Sequence, residues 1–198
     1  EEHCYEIVAE LINGFVGKGK FDGVEDLAAL LPVRLIGEML GVPAEKHDTM
    51  RRWVATFIDG GMGPQYVTDA VNDAFGEFCE HHAEMVAERE DNPEDSDLLL
   101  RWMHAEIDGQ KLEEEQLLFE HVLLLVGGAE TTRNAIAGGL EMLAKNPDQW
   151  AYLRANVDDE KVIAGAIEEM IRWVTPFNNM FRTATRDVEL RGKTIKEG

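Results

Sequence analysis

Cysteine is nearly absent: Cys4 and Cys79, far apart, are the chain's two. Two distant thiols build neither a disulfide framework nor a zinc-finger spacing, and a reducing cytoplasm suits them best. Long apolar runs are also missing. The longest candidate, residues 122–126, ends in a Gly-Gly pair and then an acid soon after, far short of the roughly 20 apolar residues a membrane helix needs. Bases are scarce, 19 against 39 acids, which leaves a formal charge of −20. Such a chain repels phosphate backbones, and this argues against nucleic acid as a partner. The acids are spread among apolar residues and form no tail, so they read as a solvated surface. An initiating Met and a signal-peptide pattern are lacking too: the chain opens Glu1-Glu2-His3 and closes Lys196-Glu197-Gly198, and both ends read as interruptions of a longer chain.

What is present suffices for a folded domain. With 198 residues, 44% of them hydrophobic, the chain can bury a core of ordinary size. Helical periodicity dominates it. Residues 1–13 place Tyr5, Val8, Leu11 and Ile12 on one face, with Gly14 at the end. Asp22, with Glu25 at capping-box spacing, can open a segment running to Leu40, which Pro32 should kink or divide. Helices are predicted over 44–58 and 65–89, separated by a glycine-rich loop at 60–64, and a short one over 95–106. Asp108-Gly109 reads as a turn. A long helix over 113–145 follows, its N-terminal end supplied with Glu113, Glu114 and Glu115 to suit the helix dipole. Helices over 147–156 and 160–174 come next. Strand character appears only at 180–185, 188–190 and 193–195. The fold class is therefore mainly α with a small β part, in a single partial domain over 1–198.

Two constellations stand out. Gly127-Gly128-Ala129-Glu130-Thr131-Thr132 lies in the middle of the long helix, where each glycine costs about 1 kcal/mol relative to alanine. An acid between apolar turns must be paired, hydrated or neutralised. Threonine hydroxyls there can turn onto carbonyls one turn back. Several local rules broken in six residues point to a site. Oxygen activation suits the pattern: glycines let a flat cofactor approach the backbone, a hydroxyl donates to bound oxygen, and a carboxylate relays protons. The plainer reading is that the glycines admit a crossing helix and Glu130 meets a buried arginine. The second constellation is Glu168-Glu169-Met170-Ile171-Arg172-Trp173, in which Glu169 and Arg172 share a helix face. It is followed by Thr175-Pro176 and by Phe181-Arg182-Thr183-Ala184-Thr185, where Arg182 could hold a carboxylate in bidentate fashion.

Taken in order, these segments resemble the cytochrome P450 family in its soluble bacterial form. Gly127 to Thr132 matches the family's oxygen-binding helix motif at every position. Glu169 and Arg172 match its Glu-x-x-Arg motif, and Arg182 matches an arginine that binds a haem propionate. Asp26-Leu27-Ala28 through Pro32, and Ile36-Gly37-Glu38-Met39-Leu40-Gly41-Val42-Pro43, look like the phrase that precedes the lid helices. The resemblance covers essentially the whole chain. It implies a truncated form of the family's triangular helical fold, with haem b as cofactor and a ferredoxin-type electron donor as partner. It further implies hydroxylation of a small apolar substrate. Glu130 and Thr131 would be the proton-delivering pair, Gly127 and Gly128 the cofactor-facing backbone, and Glu169 and Arg172 a structural brace. Residues 44–89 would cover the substrate, hinged at 60–63. Glu-Thr-Thr-Arg-Asn followed by Ile136, and Arg-Trp-x-Thr-Pro before Arg-Thr-Ala-Thr, look like actinobacterial members acting on steroids and branched lipids.

The family's thiolate loop is missing: no cysteine follows Arg172, so no residue of this chain is expected to ligate the iron. A non-catalytic helical fragment or scaffold, binding partners or apolar ligands, is the competing expectation. Cys79-Glu80-His81-His82 reads as ordinary helix surface, and His121 as a pocket-lining or partly buried histidine. Trp53, Trp102, Trp150 and Trp173 read as core or interface anchors. Leu123, Leu124 and Leu125 read as core, and Phe57, Val126 and Phe177 as side chains suited to an apolar pocket.

Overall fold

Local capping chemistry sets most of the element boundaries. In the computed structural model, which describes residues 2–61, 64–92, 97–179 and 182–198, helix α1 spans Glu2–Phe15. Asp22 then accepts from the amides of Val24 and Glu25 at 2.9 and 3.0 Å. The reciprocal bond comes from Asp26, whose carboxylate takes the Asp22 amide at 2.8 Å, not from Glu25 as the spacing suggested. A π-helical turn, Val24–Ala28, leads into α2, Leu30–Leu40. The predicted segment is thus divided, but at Ala29. Pro32 sits inside the first turn of α2, where its missing N–H leaves no carbonyl unsatisfied. Gly41 ends α2 in the left-handed conformation at φ 71°.

Helix α3 spans His47–Gly61 after a short 3-10 turn, Ala44–Lys46. The glycine-rich loop begins later than predicted, because Gly60 and Gly61 belong to α3. A Cβ on Gly60 would come to 2.7 Å from Val71 Cγ1, so this glycine permits close packing of the next helix. Met62 and Gly63 lie outside the described residues. Helix α4, Asp69–Asp91, is capped by Thr68, and α5, Leu98–His104, by Asp97, whose carboxylate accepts from Leu100 N at 2.9 Å. Strands β1, Glu106–Ile107, and β2, Gln110–Lys111, form an antiparallel hairpin. Its turn holds Asp108 and Gly109 at φ 54° and 77°, the two positive values a type I′ turn requires.

Helix α6, Glu114–Lys145, is 32 residues long and opens with a capping box between Glu113 and Gln116. At 1.5 Å per residue it runs for about 48 Å. Helix α7, Pro147–Ala155, starts on its proline, and α8, Glu160–Val174, starts on Asp159. Strands β3, Val188–Leu190, and β4, Lys193–Ile195, pair antiparallel with Glu189 opposite Thr194. The strand predicted at 180–185 does not form over its described part. Met180 and Phe181 lie outside the described residues, and residues 182–185 are irregular, with Ala184 O accepting one bond from Gly198 N. A strand is stabilised by a partner ladder, and β3 takes β4 instead.

The core lies where α2, α3, α4, α5 and α6 meet, around Leu40, Met50, Trp53, Phe78, Leu99 and Leu125. Trp53 meets Phe78 edge to face at 5.5 Å. Phe57, half-buried, packs on the same cluster against Phe75 and Phe78. Among the described residues α7 and α8 have no buried member. They lean on the C-terminal half of α6, where Gly138 and Gly139 make room for Val174 and Met170. Of the tryptophans, Trp53 is core and Trp102 packs against it, whereas Trp150 and Trp173 are exposed. Of the three leucines, Leu125 is buried and Leu124 packs on the core, but Leu123 is 65% exposed, since three consecutive helical positions cannot face one way.

Candidate functional site

Helix α6 carries two opposed stripes. Leu117, His121, Leu125 and Ala129 recur every four residues and are buried. On the other side Phe119, Leu123 and Gly127 repeat the same step and face outward, the first two 55% and 65% exposed. This outward stripe is apolar and ends at the motif singled out in the sequence. A Cβ on Gly127 would meet nothing within 4 Å, whereas one on Gly128 would come to 2.8 Å from Ile36 Cδ1 of α2. The two glycines therefore differ in their surroundings. Gly128 admits a crossing helix, and Gly127 leaves bare backbone on the open face.

One turn on, Thr131 Oγ1 donates to Gly127 O at 2.6 Å. The bond fixes the hydroxyl beside the bare glycine and leaves its oxygen lone pairs free to accept. Thr132 is exposed. Glu130 points elsewhere: it forms an ion pair with Arg133, and its side chain is 15% exposed. It lines a cavity of about 220 Å³, of mixed apolar and charged lining, with Arg51, Arg52 and Asp48 of α3 and Glu25 from the π-helical turn. Arg133 Nε is buried without a hydrogen-bond partner among the described residues. Sequence reasoning missed Arg133, although its place three residues after Glu130 was a readable signal. Arg51 and Arg52 could not be found that way, because only the packing of α3 on α6 brings them near.

Glu169 and Arg172 form a bidentate pair at 2.6 and 2.7 Å, more than half exposed on α8. The guanidinium holds the Glu169 carboxyl below its usual range, chiefly by hydrogen bonding, and lies over the Trp173 ring at 5.8 Å. Glu169 also edges an apolar groove of about 620 Å³ walled by Met142, Leu143, Leu153, Met170 and Trp173. Arg182 is exposed, as is Phe177.

The Cys79–His82 run is not the helix surface the sequence suggested. His81 and His82 are buried, and His82 Nδ1 lies 3.0 Å from Nδ1 of His121, which is 1% exposed. Burial, with lesser contributions from nearby bases, pushes His121 down to about 3. The thiols stand on α1 and α4, both half-buried, and burial raises Cys79, which makes it a poor thiolate. The open, apolar α6 face fits one side of a flat, hydrophobic prosthetic group.

Comparison with known proteins agrees with this geometry. The family model described as Cytochrome P450 matches residues 33–198. A steroid C26-monooxygenase of Mycobacterium tuberculosis (strain CDC 1551 / Oshkosh) is 39% identical over 191 residues, covering 95% of this chain and 50% of that protein. A steroid C26-monooxygenase of Mycolicibacterium smegmatis is 36% identical over 190 residues, covering 95% of this chain and 46% of the relative. The solved structure of the Bacillus subtilis 168 bacillaene polyketide synthase cytochrome P450 PksS superposes with a TM-score of 0.86 at 30% identity, over 100% of this chain and 49% of that one. The chain spans about half the length of the relatives it matches. No helix among the described residues is long and apolar enough to cross a membrane.

Proposed function

Because the chain belongs to the cytochrome P450 family, we propose that it forms the oxygen-side half of a haem-dependent monooxygenase that hydroxylates a steroid or a similar apolar lipid. Haem b, which family membership implies for the intact protein, supplies the redox chemistry when bound. A ferredoxin-type donor provides the electrons. One oxygen atom enters a C–H bond of the substrate, and the other leaves as water with the electrons and protons delivered.

The residues of this chain divide the remaining work. Bare backbone at Gly127 lets a flat macrocycle lie against α6. Thr131, tethered to Gly127 O, holds its hydroxyl at the edge of that contact and passes a proton across it. Glu130, lining the cavity that Arg51, Arg52 and Asp48 also reach, takes protons from water on the far side of the helix. Phe119 and Leu123 extend the apolar face along α6 and exclude water from the substrate. Arg182 binds a propionate carboxylate, and the Glu169–Arg172 pair braces the segment that follows α8. The steroid assignment rests on the relatives, which share 36–39% of aligned residues and carry that activity in their names.

The observation that carries this reading is the Thr131–Gly127 bond beside an open glycine on an apolar helix face. Thr131→Ala in the intact holoenzyme tests it. Loss of a hydroxyl that accepts and relays a proton costs roughly 10²–10⁴-fold, and here the loss should appear as reductant consumed without hydroxylated product. The 620 Å³ groove beside α8 supports a second reading, a helical scaffold that binds apolar ligands without haem. A protein of that kind would be indifferent to Thr131→Ala.

A further inference from the structure

The buried histidines of α4 and α6 have no part in the chemistry above. His82 and His121 are 3% and 1% exposed, and their Nδ1 atoms meet at 3.0 Å. The Phe78 ring packs against both, 4.8 Å from His121 and 6.4 Å from His82. His82 Nε2, and Nε2 of the neighbouring His81, are buried without a hydrogen-bond partner among the described residues. Two facing Nδ1 atoms can share one proton, one ring donating and the other accepting. An added proton places an imidazolium among Phe78, Leu117 and Leu125 with no carboxylate bonded to either ring among the described residues. A further one sets two N–H groups head to head. The seam between α4 and α6 as built therefore requires the neutral pair.

We propose that His82 and His121 form a proton-sensitive clasp, which holds α4 on α6 while both rings are neutral and lets that seam open in acid. The inference is independent of the oxygenase reading, since it needs neither cofactor nor substrate. The charged groups facing the cluster are His81, Glu84, Glu88 and Arg89 on α4, Lys46 in the 3-10 turn, and Glu114 on α6. Glu90 and Glu114 share a small cavity with His82. Glu114 favours the charged form of His82, but burial outweighs it, and all three histidines are held below 6.5. The sign follows. Below about pH 6.5 the opened seam takes up protons that the closed seam refuses, so closure is at full strength above that pH and weakens as pH falls. With His121 near 3 when closed, that residue alone raises the opening constant about 30-fold between about pH 7.5 and about pH 5.

Hydrogen exchange on the 198-residue chain, expressed as protection factors at those two pH values, tests the clasp. Protection should fall about 30-fold at residues 78–85 and 118–124 and stay level on α8. The double variant His82→Gln/His121→Gln keeps a hydrogen-bonding pair that cannot titrate, and it should show no such fall. An equal fall in the variant, or a fall spread evenly over the whole chain, overturns the proposal. Should the variant not fold, ring ¹⁵N spectra of the wild type decide instead. The His121 ring must stay neutral at about pH 5, and its titration near 6.5 sinks the idea.

Discussion

A methyl group added at Gly127 meets no other atom within 4 Å, while one added at Gly128 comes to 2.8 Å from Ile36 Cδ1. The consequences differ although the residues are adjacent. Gly127→Ala should stabilise the chain by about 1 kcal/mol, because alanine is the better helix former and nothing obstructs it. Gly128→Ala gains the same propensity but must push Ile36 out of its place in the core, so its net gain should be smaller or reversed. Urea unfolding of the two variants gives the comparison directly. If Gly127 is kept for a bound macrocycle, the variant that is more stable as a bare chain should retain haem less well in the intact protein. A Gly127→Ala protein with unchanged haem affinity would remove that residue from the cofactor contact. Stability and function then pull in opposite directions at a single position, as expected of a site that breaks a local rule.

Between elements, Arg89 has the heaviest duty. Its guanidinium is almost fully buried, donates to Asp97 Oδ2 at 2.9 Å, and reaches the carbonyls of Met85, Leu40 and Gly41 at 3.0, 3.0 and 3.3 Å. It thus joins the C-terminal ends of α2 and α4 to the residue that caps α5. A Cβ on Gly41 would come to 2.5 Å from both Arg89 Nη2 and Asp97 Oδ2, which explains the glycine there beyond its positive φ. Arg89→Met should cost about 3–5 kcal/mol, since it strands a buried carboxylate and several helix-end carbonyls. Asp97→Asn should cost less, because asparagine still caps α5. Chemical denaturation of both chains settles the order, and a smaller loss for Arg89→Met contradicts the account. The sequence showed the elements better than these junctions. Periodicity and caps were enough for α6, α8 and the Asp108-Gly109 hairpin, because such signals are local. The Gly127–Thr131 geometry was legible for the same reason. Arg89, Arg51 and the His82–His121 contact were not, because each depends on which helices cross. Over its described part, 182–185, the expected strand failed in the same way: β propensity was visible, but the missing partner was not.

On the scale of the whole molecule, two features oppose each other. The chain carries −20 formal charge with an isoelectric point near 4.6, and copies of it repel. It also exposes Tyr152, Ile167, Ile171 and Trp173 on α7 and α8, beside the 620 Å³ apolar groove. Exposed apolar surface drives association when electrostatics permit. Salt shifts the balance, since the screening length shrinks from about 30 Å at 0.01 M to about 8 Å at 0.15 M ionic strength. Sedimentation velocity should therefore show a monomer at low salt and a concentration-dependent dimer or larger species as salt rises. Approach to pH 4.6 should act in the same direction. The double variant Ile171→Ser/Trp173→Ser removes the apolar drive and leaves the charge unchanged, so it should stay monomeric at every salt concentration. Association that persists in this variant would move the contact to the other exposed apolar stripe, Phe119 and Leu123 on α6. That stripe is where the proposed haem and substrate lie, so haem loading should then suppress the association, whereas a contact through α8 has no reason to respond to it.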